Sequence, residues 1–328
     1  MKEKKKFIQI KKNRIDLFEL KNLNEMMLVE KKFNLFLNKK IFKKKNNKYL
    51  YKNKKCACGN IIGKKNNKFY IKPFAYIECK KCNSISVDPM INDKGLDLIY
   101  SNNGAYSIYR KKFLENKKKK YLRNNIINNR KVSQVLSLFK NNKFSILDFG
   151  CGDGGFLKFI KKKGVRRLFG VDSKFISSKS ENGIFYSKNL DGLKRKFDCI
   201  TLWGVIEHLN KPLDFLNYIL KYLKKGGFLV MEFPNSNCLL MDFIKKNKFS
   251  APRYLEQGRH LFFFSQKFIT IMCKKERLDL NAIETNGLDV QTILGEQKKI
   301  NLNKIFSLQE TIDQNLLSDH FRVALKKK

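Results

Sequence analysis

Between Phe144 and Gly155 the chain reads F-S-I-L-D-F-G-C-G-D-G-G, an apolar run that breaks into four glycines within six residues. It continues as F-L-K-F-I-K-K-K-G, an amphipathic segment ending at Gly164. A strand, a glycine turn and a helix N-terminus in that order let a ligand approach bare backbone at the positive end of a helix dipole. Gly150, Gly152 and Gly155 also satisfy G-x-G-x-x-G, so a dinucleotide-binding dehydrogenase fits this turn taken alone.

The following residues extend the pattern. R-R-L-F-G-V-D reads as a second strand ending at Asp172, 24 residues after Asp148 and placed to accept hydrogen bonds from ribose hydroxyls. A third strand is expected near Gly183 to Ser187, and F-D-C-I-T-L-W-G from Phe197 is a fourth. A helix from Pro212 to Leu223 then precedes K-K-G-G-F-L-V-M-E-F-P-N, the fifth strand. Strands alternating with helices predict an α/β, doubly wound, mainly parallel sheet with its ligand at the carboxyl ends of the strands.

Of eight cysteines, Cys56, Cys58, Cys79 and Cys82 form C-A-C-G and C-K-K-C, with twenty residues between the pairs. Two thiol pairs on two short turns can converge on one tetrahedral ion, so structural zinc is the first expectation. Unligated thiols and a redox pair are the alternatives. C-x-C is tighter than the usual C-x-x-C, and Gly59 supplies the permissive backbone. The intervening K-F-Y-I-K-P-F-A-Y-I-E-C alternates like strands and completes a small ribbon. Cys151, Cys199, Cys238 and Cys273 are scattered in apolar surroundings and read as small core hydrophobes.

The succession I-L-D-F-G-C-G-D-G, G-V-D, F-D-C-I-T-L-W-G-V-I-E-H-L and L-K-K-G-G-F-L-V-M-E-F-P-N resembles the motifs of class I S-adenosylmethionine-dependent methyltransferases. The likeness covers residues 143–234 and extends more loosely through R-H-L-F-F-F-S-Q-K-F-I-T-I-M. The cysteine pairs, S-V-D-P and Tyr100, Tyr106 and Tyr109 resemble the zinc-ribbon arrangement preceding the core in bacterial sugar and secondary-metabolite methyltransferases. The resemblance implies a seven-stranded sheet preceded by a small zinc ribbon, with S-adenosylmethionine and structural zinc as cofactors. It places Asp148, Gly150, Cys151 and Gly152 about the amino-acid end of S-adenosylmethionine, Asp172 on its ribose, and Trp203 and Gly204 beside the sulfonium.

A sulfonium methyl is already electrophilic, so the protein must align an acceptor lone pair and, for a hydroxyl, remove its proton. Glu207, His208 and His260 are the candidate bases; as alternatives, Glu207 and His208 cap the next helix or support the loop, and His260 is a core or loop histidine. Small-RNA 2′-O-methyltransferases hold magnesium with E-x-x-E-H and a later histidine. Here Gly204 stands where their first glutamate would be, which counts against that site.

The chain has 328 residues, 42% of them hydrophobic, enough for a real core. It contains no apolar run of the ~18 to 20 residues a spanning helix needs, and M-K-E-K-K-K-F-I-Q-I lacks a signal peptide's apolar stretch, so a cytoplasmic location is expected. The net charge of +41 suggests a polyanion partner, but 59 of the 70 basic residues are lysine, with only 11 arginines to read phosphate bidentately. Compositional drift therefore takes precedence over nucleic-acid binding.

Residues 1–55 carry 19 lysines and arginines against five acidic residues, and residues 110–120 form a second basic run. The expected organisation is a basic arm (1–50) with one helix near Asn24 to Leu37, a zinc ribbon (51–92), a helical connector (93–142), the catalytic core (143–290) and a tail (291–328). Ser265 should cap a helix leading to a strand pair around Leu278 to Glu284, and the tail should form amphipathic helices, one containing His320. The expected function is methyl transfer to a small molecule, with a sugar or nucleotide-linked sugar as acceptor. An RNA-directed enzyme, or a ribbon gripping RNA beside a degenerate core, is the alternative.

Overall fold

A computed structural model describes residues 23–43, 48–101, 103–114, 121, 124–175, 177–295 and 301–328. Residues 1–22 of the basic arm and 115–120 of the second basic run lie outside the described residues.

The first described element is a helix, Leu23–Phe36. A short strand β1 (Leu50–Tyr51) precedes β2 (Lys68–Ile71), β3 (Phe74–Glu78), β4 (Ile85–Asp88) and β5 (Met90–Ile91). β2 and β3 form the hairpin expected between the cysteine pairs, and β4 adds antiparallel to β3. Helices Asp93–Tyr100, Ala105–Tyr109 and Asn129–Leu136 lead to the core.

The core strands are β6 (Ser145–Phe149), β7 (Arg167–Val171), β8 (Lys179–Glu181), β9 (Ile184–Ser187), β10 (Phe197–Trp203) and β11 (Leu223–Pro234), then β12 (Phe262–Phe263), β13 (Leu278–Asn286) and β14 (His320–Lys327). The main sheet has the order β13-β14-β11-β10-β6-β7-β9-β8. β9, β7, β6, β10 and β11 run parallel. β14 lies antiparallel between β11 and β13, and β8 adds antiparallel at the far edge. This is the doubly wound sheet expected, with β8 as one strand beyond the seven. The central strands β6 and β10 are buried along nearly their whole length, which is why they read as continuous apolar runs instead of alternating ones.

Two expectations for the C-terminal region are corrected. From Asn301 onward the tail forms the helix Leu302–Gln314 but ends in β14, a strand deep in the sheet, so His320 opens a strand and not a terminal helix. The strand pair at Leu278 is not a local hairpin, since β13 pairs with β14 some forty residues later, Asn286 opposite His320. H-F-R-V-A-L-K-K hides this strand because Arg322, on an otherwise apolar run, is buried by pairing with Glu232 and so looks like a surface residue in sequence.

β12 comes from the core but joins the ribbon, whose sheet has the order β12-β4-β3-β2. Phe263 pairs with Ile85 and is fully buried, its ring 6.1 Å from Tyr76 and 5.1 Å from Tyr254. Burying such a ring contributes roughly 1.5 to 3 kcal/mol, here at the seam between the two sheets. The side chain of Ser265 caps the next helix by accepting from Phe268 N at 3.0 Å, as expected.

Candidate active site and thiol cluster

The turn after β6 is held by two backbone bonds, Gly150 N and Cys151 N both donating to Val171 O at the end of β7. Gly150, Gly152 and Gly154 have φ of 72, 54 and 72°, a region that strains other residues. A Cβ on Gly150 would stand 2.8 Å from Val205, whereas nothing lies within 4 Å of the corresponding position on Gly152. The Gly152 backbone is thus open to a ligand, and its N–H donates to Asp172 Oδ2 at 2.8 Å. Lys174 N donates to the other carboxylate oxygen at 3.1 Å, which fixes the Asp172 side chain beside the turn.

Asp148 is buried one strand away and accepts from Thr201 Oγ1 at 2.7 Å. Burial pushes its carboxyl up to about 7, against the pull of Thr201 and Lys131. Trp203, at the end of β10, has Lys131 4.8 Å above its ring and Phe156 edge-on at 5.4 Å. Its Nε1 is buried without a hydrogen-bond partner. Gly204 N donates to Glu232 O at 3.0 Å and passes the chain, at φ 69°, into the turn Ile206–His208.

That turn and the segment before β12 bring Glu207, His208 and His260 together, with one ligand atom from each within 4.8 Å of the others, a set able to hold a cation. Leu261 N donates to Glu207 O at 2.8 Å, which ties the two segments. Nδ1 of His208 lies 2.9 Å from Arg259 O and 3.2 Å from the Tyr100 hydroxyl, and Nδ1 of His260 lies 2.8 Å from Tyr254 O. Burial lowers the two imidazoles to about 4 and about 3 and raises the Glu207 carboxyl well above its ordinary range. Above it, Arg259 stacks on Tyr106 at 5.1 Å, Tyr109 at 5.0 Å and Phe33 at 5.5 Å while pairing with Glu256 at 3.0 Å. The tyrosines of the N-terminal segment therefore roof the core.

The four ribbon thiols also meet. Cys56 Sγ lies 3.5 Å from Cys82 Sγ, and Cys58 Sγ 3.8 Å from Cys79 Sγ. A tetrahedron of thiolates with Zn–S of about 2.3 Å has edges of roughly 3.8 Å, so the donor set fits structural zinc. Bonds from Cys56 favour the thiolate forms of Cys58 and Cys79, the latter lowered to about 6.

Sequence reasoning missed Lys131, the Arg322–Glu232 ion pair, Arg259 and the Asp319–His320 pair. Burial alone would raise Glu232, yet Arg322 and Lys131 hold it at about 2. One available signal was the lone glutamate in the apolar run F-L-V-M-E-F, which demands a buried cation.

Residues 109–283 match the family model described as a methyltransferase domain, more than half of the 328 residues. The chain belongs to that family. With its parallel sheet the chain has the class I methyltransferase fold, and the open turn at Gly152, the fixed Asp172 and the orphaned Trp203 Nε1 fit S-adenosylmethionine.

Among curated proteins, it is 30% identical over 186 residues to a tRNA U34 carboxymethyltransferase from Colwellia psychrerythraea, covering 52% of this chain and 54% of the relative. A tRNA U34 carboxymethyltransferase from Dichelobacter nodosus is 27% identical over 180 residues, covering 52% and 55%. The chain spans about half the length of these relatives. A SAM-dependent methyltransferase structure from Archaeoglobus fulgidus aligns with TM-score 0.44 at 19% identity, covering 68% of this chain and 99% of that one.

These relatives overturn the preference for a small-molecule acceptor over nucleic acid, because both are named for tRNA. The preference discounted lysine for lacking arginine's fork. Counterion release from a nucleic acid, however, depends on the number of charges placed at phosphates, and lysine supplies those equally. Among the described residues, no helix is long and apolar enough to cross a membrane.

Proposed function

We propose that this methyltransferase modifies a nucleotide of RNA. The supporting observation for the acceptor is the relatives named for tRNA, and the surface is compatible. Between Tyr51 and Cys82 the ribbon exposes nine lysines against one acidic residue, Glu78, which pairs with Lys245 at 3.3 Å. Such a face suits a phosphate backbone.

In this reading Asp148, Gly150, Cys151 and Gly152 surround the amino-acid end of S-adenosylmethionine, and Asp172 accepts from its ribose. Trp203 and Gly204 flank the sulfonium, while Cys56, Cys58, Cys79 and Cys82 hold zinc. The bound cofactor supplies an electrophilic methyl carbon. Glu207, His208 and His260, roofed by Tyr100, line the acceptor end. There they exclude water and hydrogen-bond the nucleotide, so its reacting atom meets the methyl carbon in line.

Incubation with methyl-labelled S-adenosylmethionine and total RNA, followed by nuclease digestion, tests this reading. Label in one modified nucleoside supports it; label confined to small molecules refutes the RNA acceptor.

A further inference from the structure

A cavity of about 150 Å³ opens at the carboxyl edge of the sheet, one strand beyond Trp203. Its walls include Glu232, Asn286, His320 and Arg322 from β11, β13 and β14, with Arg130 opposite from the connector helix. Register brings these groups level with the cofactor turn: Trp203 pairs with Glu232, Glu232 with Arg322, and His320 with both Pro234 and Asn286. Adjacent strands are about 4.8 Å apart, so Arg322 stands roughly two strand spacings from Trp203, with His320 two residues further along towards the carboxyl edge. Asn286 Oδ1 is buried there without a hydrogen-bond partner.

His320 differs from the two histidines of the acceptor trio. Its Nδ1 lies 2.6 Å from Asp319 Oδ1, a carboxylate instead of a backbone carbonyl, and its side chain is 22% exposed. Asp319 is fully buried, paired with Arg253 and bonded by Leu288 N at 3.1 Å. Burial alone would raise this carboxyl, but Arg253 and His320 hold it far below the ordinary range, so it stays ionised. An ionised carboxylate only accepts, which places the proton of neutral His320 on Nδ1 and a lone pair on Nε2. The other charged groups facing the cavity are Arg130, the Arg322–Glu232 pair and Asp313 of helix Leu302–Gln314, and Asp289 lies behind Asp319.

We propose that His320, oriented by Asp319, is the general base that takes the acceptor's proton during methyl transfer. Resting on the methyl-transfer reading above, the step balances as follows. The acceptor heteroatom forms a bond to the methyl carbon, the S–CH3 bond breaks with its electron pair returning to sulfur, and the acceptor proton passes to Nε2 of His320. The imidazolium so formed is stabilised by Asp319, which acts as a positioning residue. Asn286 and Arg130 hold the acceptor beside it.

The test compares wild type, His320→Ala, His320→Gln and Asp319→Asn with methyl-labelled S-adenosylmethionine, offering total RNA and, separately, the small-molecule fraction of cells. Cofactor binding by calorimetry and thermal melting check that each variant is folded. The expected result is transfer slowed by about 100-fold or more in His320→Ala and His320→Gln, with cofactor affinity unchanged and partial rescue of His320→Ala by imidazole. Asp319→Asn should move the acid limb of the rate profile to lower pH, because the imidazolium loses its counter-charge.

Wild-type rate and an unshifted acid limb in His320→Ala overturn the proposal. Label in small molecules alone, with His320→Ala inactive, refutes the RNA acceptor and leaves the base assigned. Transfer to neither fraction by folded, cofactor-binding wild type overturns both.

Discussion

The backbone N–H of Gly152 donates to the Asp172 carboxylate across the ends of β6 and β7, so the bare turn and the carboxylate are locked together at 2.8 Å before any ligand arrives. One oxygen is also held by Lys174 N, which leaves the remaining lone pairs aimed beside the turn. A ligand meeting this pair loses little freedom in the protein on binding.

Replacing Asp172 with Ala should weaken S-adenosylmethionine binding by ~1 to 3 kcal/mol, the usual cost of losing a charged hydrogen-bond partner. Calorimetric titration reads this directly, with Asp172→Asn as the milder comparison. Unchanged affinity in the alanine variant would remove Asp172 from the cofactor site.

Asp148 gives a pH signature. Its folded value of about 7 lies above the ordinary 3.8, so the folded protein binds a proton there that the unfolded chain has released. Stability from this group is full below about pH 4 and declines as pH rises towards 7. Denaturant melts of the ligand-free protein across that window should show a decline that Asp148→Asn removes. A positively charged amino group bound beside the carboxylate favours its ionised form, so cofactor affinity should rise over the same range in wild type only.

The thiol cluster predicts about one equivalent of zinc per chain, measurable by mass spectrometry of the purified protein under reducing conditions. Cys79→Ser with Cys82→Ser should abolish it and open residues 51–92 to proteolysis. Metal-free wild type with an intact ribbon would contradict the assignment.

The basic ribbon predicts a salt-dependent affinity for RNA. Reversing Lys64, Lys65, Lys80 and Lys81 to Glu should flatten the log–log salt slope by roughly 0.7 for each single-strand phosphate no longer neutralised. Reversing the equally exposed Lys162, Lys163, Lys274 and Lys275 should change it less. Equal effects would mean that net charge, and not this face, binds RNA.

The glycine turn after β6 was legible because its determinants are contiguous. Asp148, Gly150 and Gly152 lie within five residues, and the buried parallel strands announce themselves as apolar runs. The cavity beside β14 was less legible, because its geometry arises from long-range pairing. Arg322 reaches Glu232 across ninety residues, and only the antiparallel pairing of β14 brings His320, with Asp319 before it, to the carboxyl edge of the sheet. A histidine among lysines near a chain end gives no local sign of the strand it opens. His260 could be named from its motif, but its approach to His208, ring centres 4.9 Å apart, required the fold.

Leu261 is tied from both sides, its N–H to Glu207 O and its carbonyl to the N–H of Val87 in the ribbon. His260 precedes it and Phe262, already in the ribbon sheet, follows it. Only one residue of slack therefore separates the sheet beside the four thiols from the histidine that meets Glu207 and His208. Disorder in the ribbon has no hinge in which to dissipate, so a lost metal should register first as a misplaced His260 and only later as unfolding of the core.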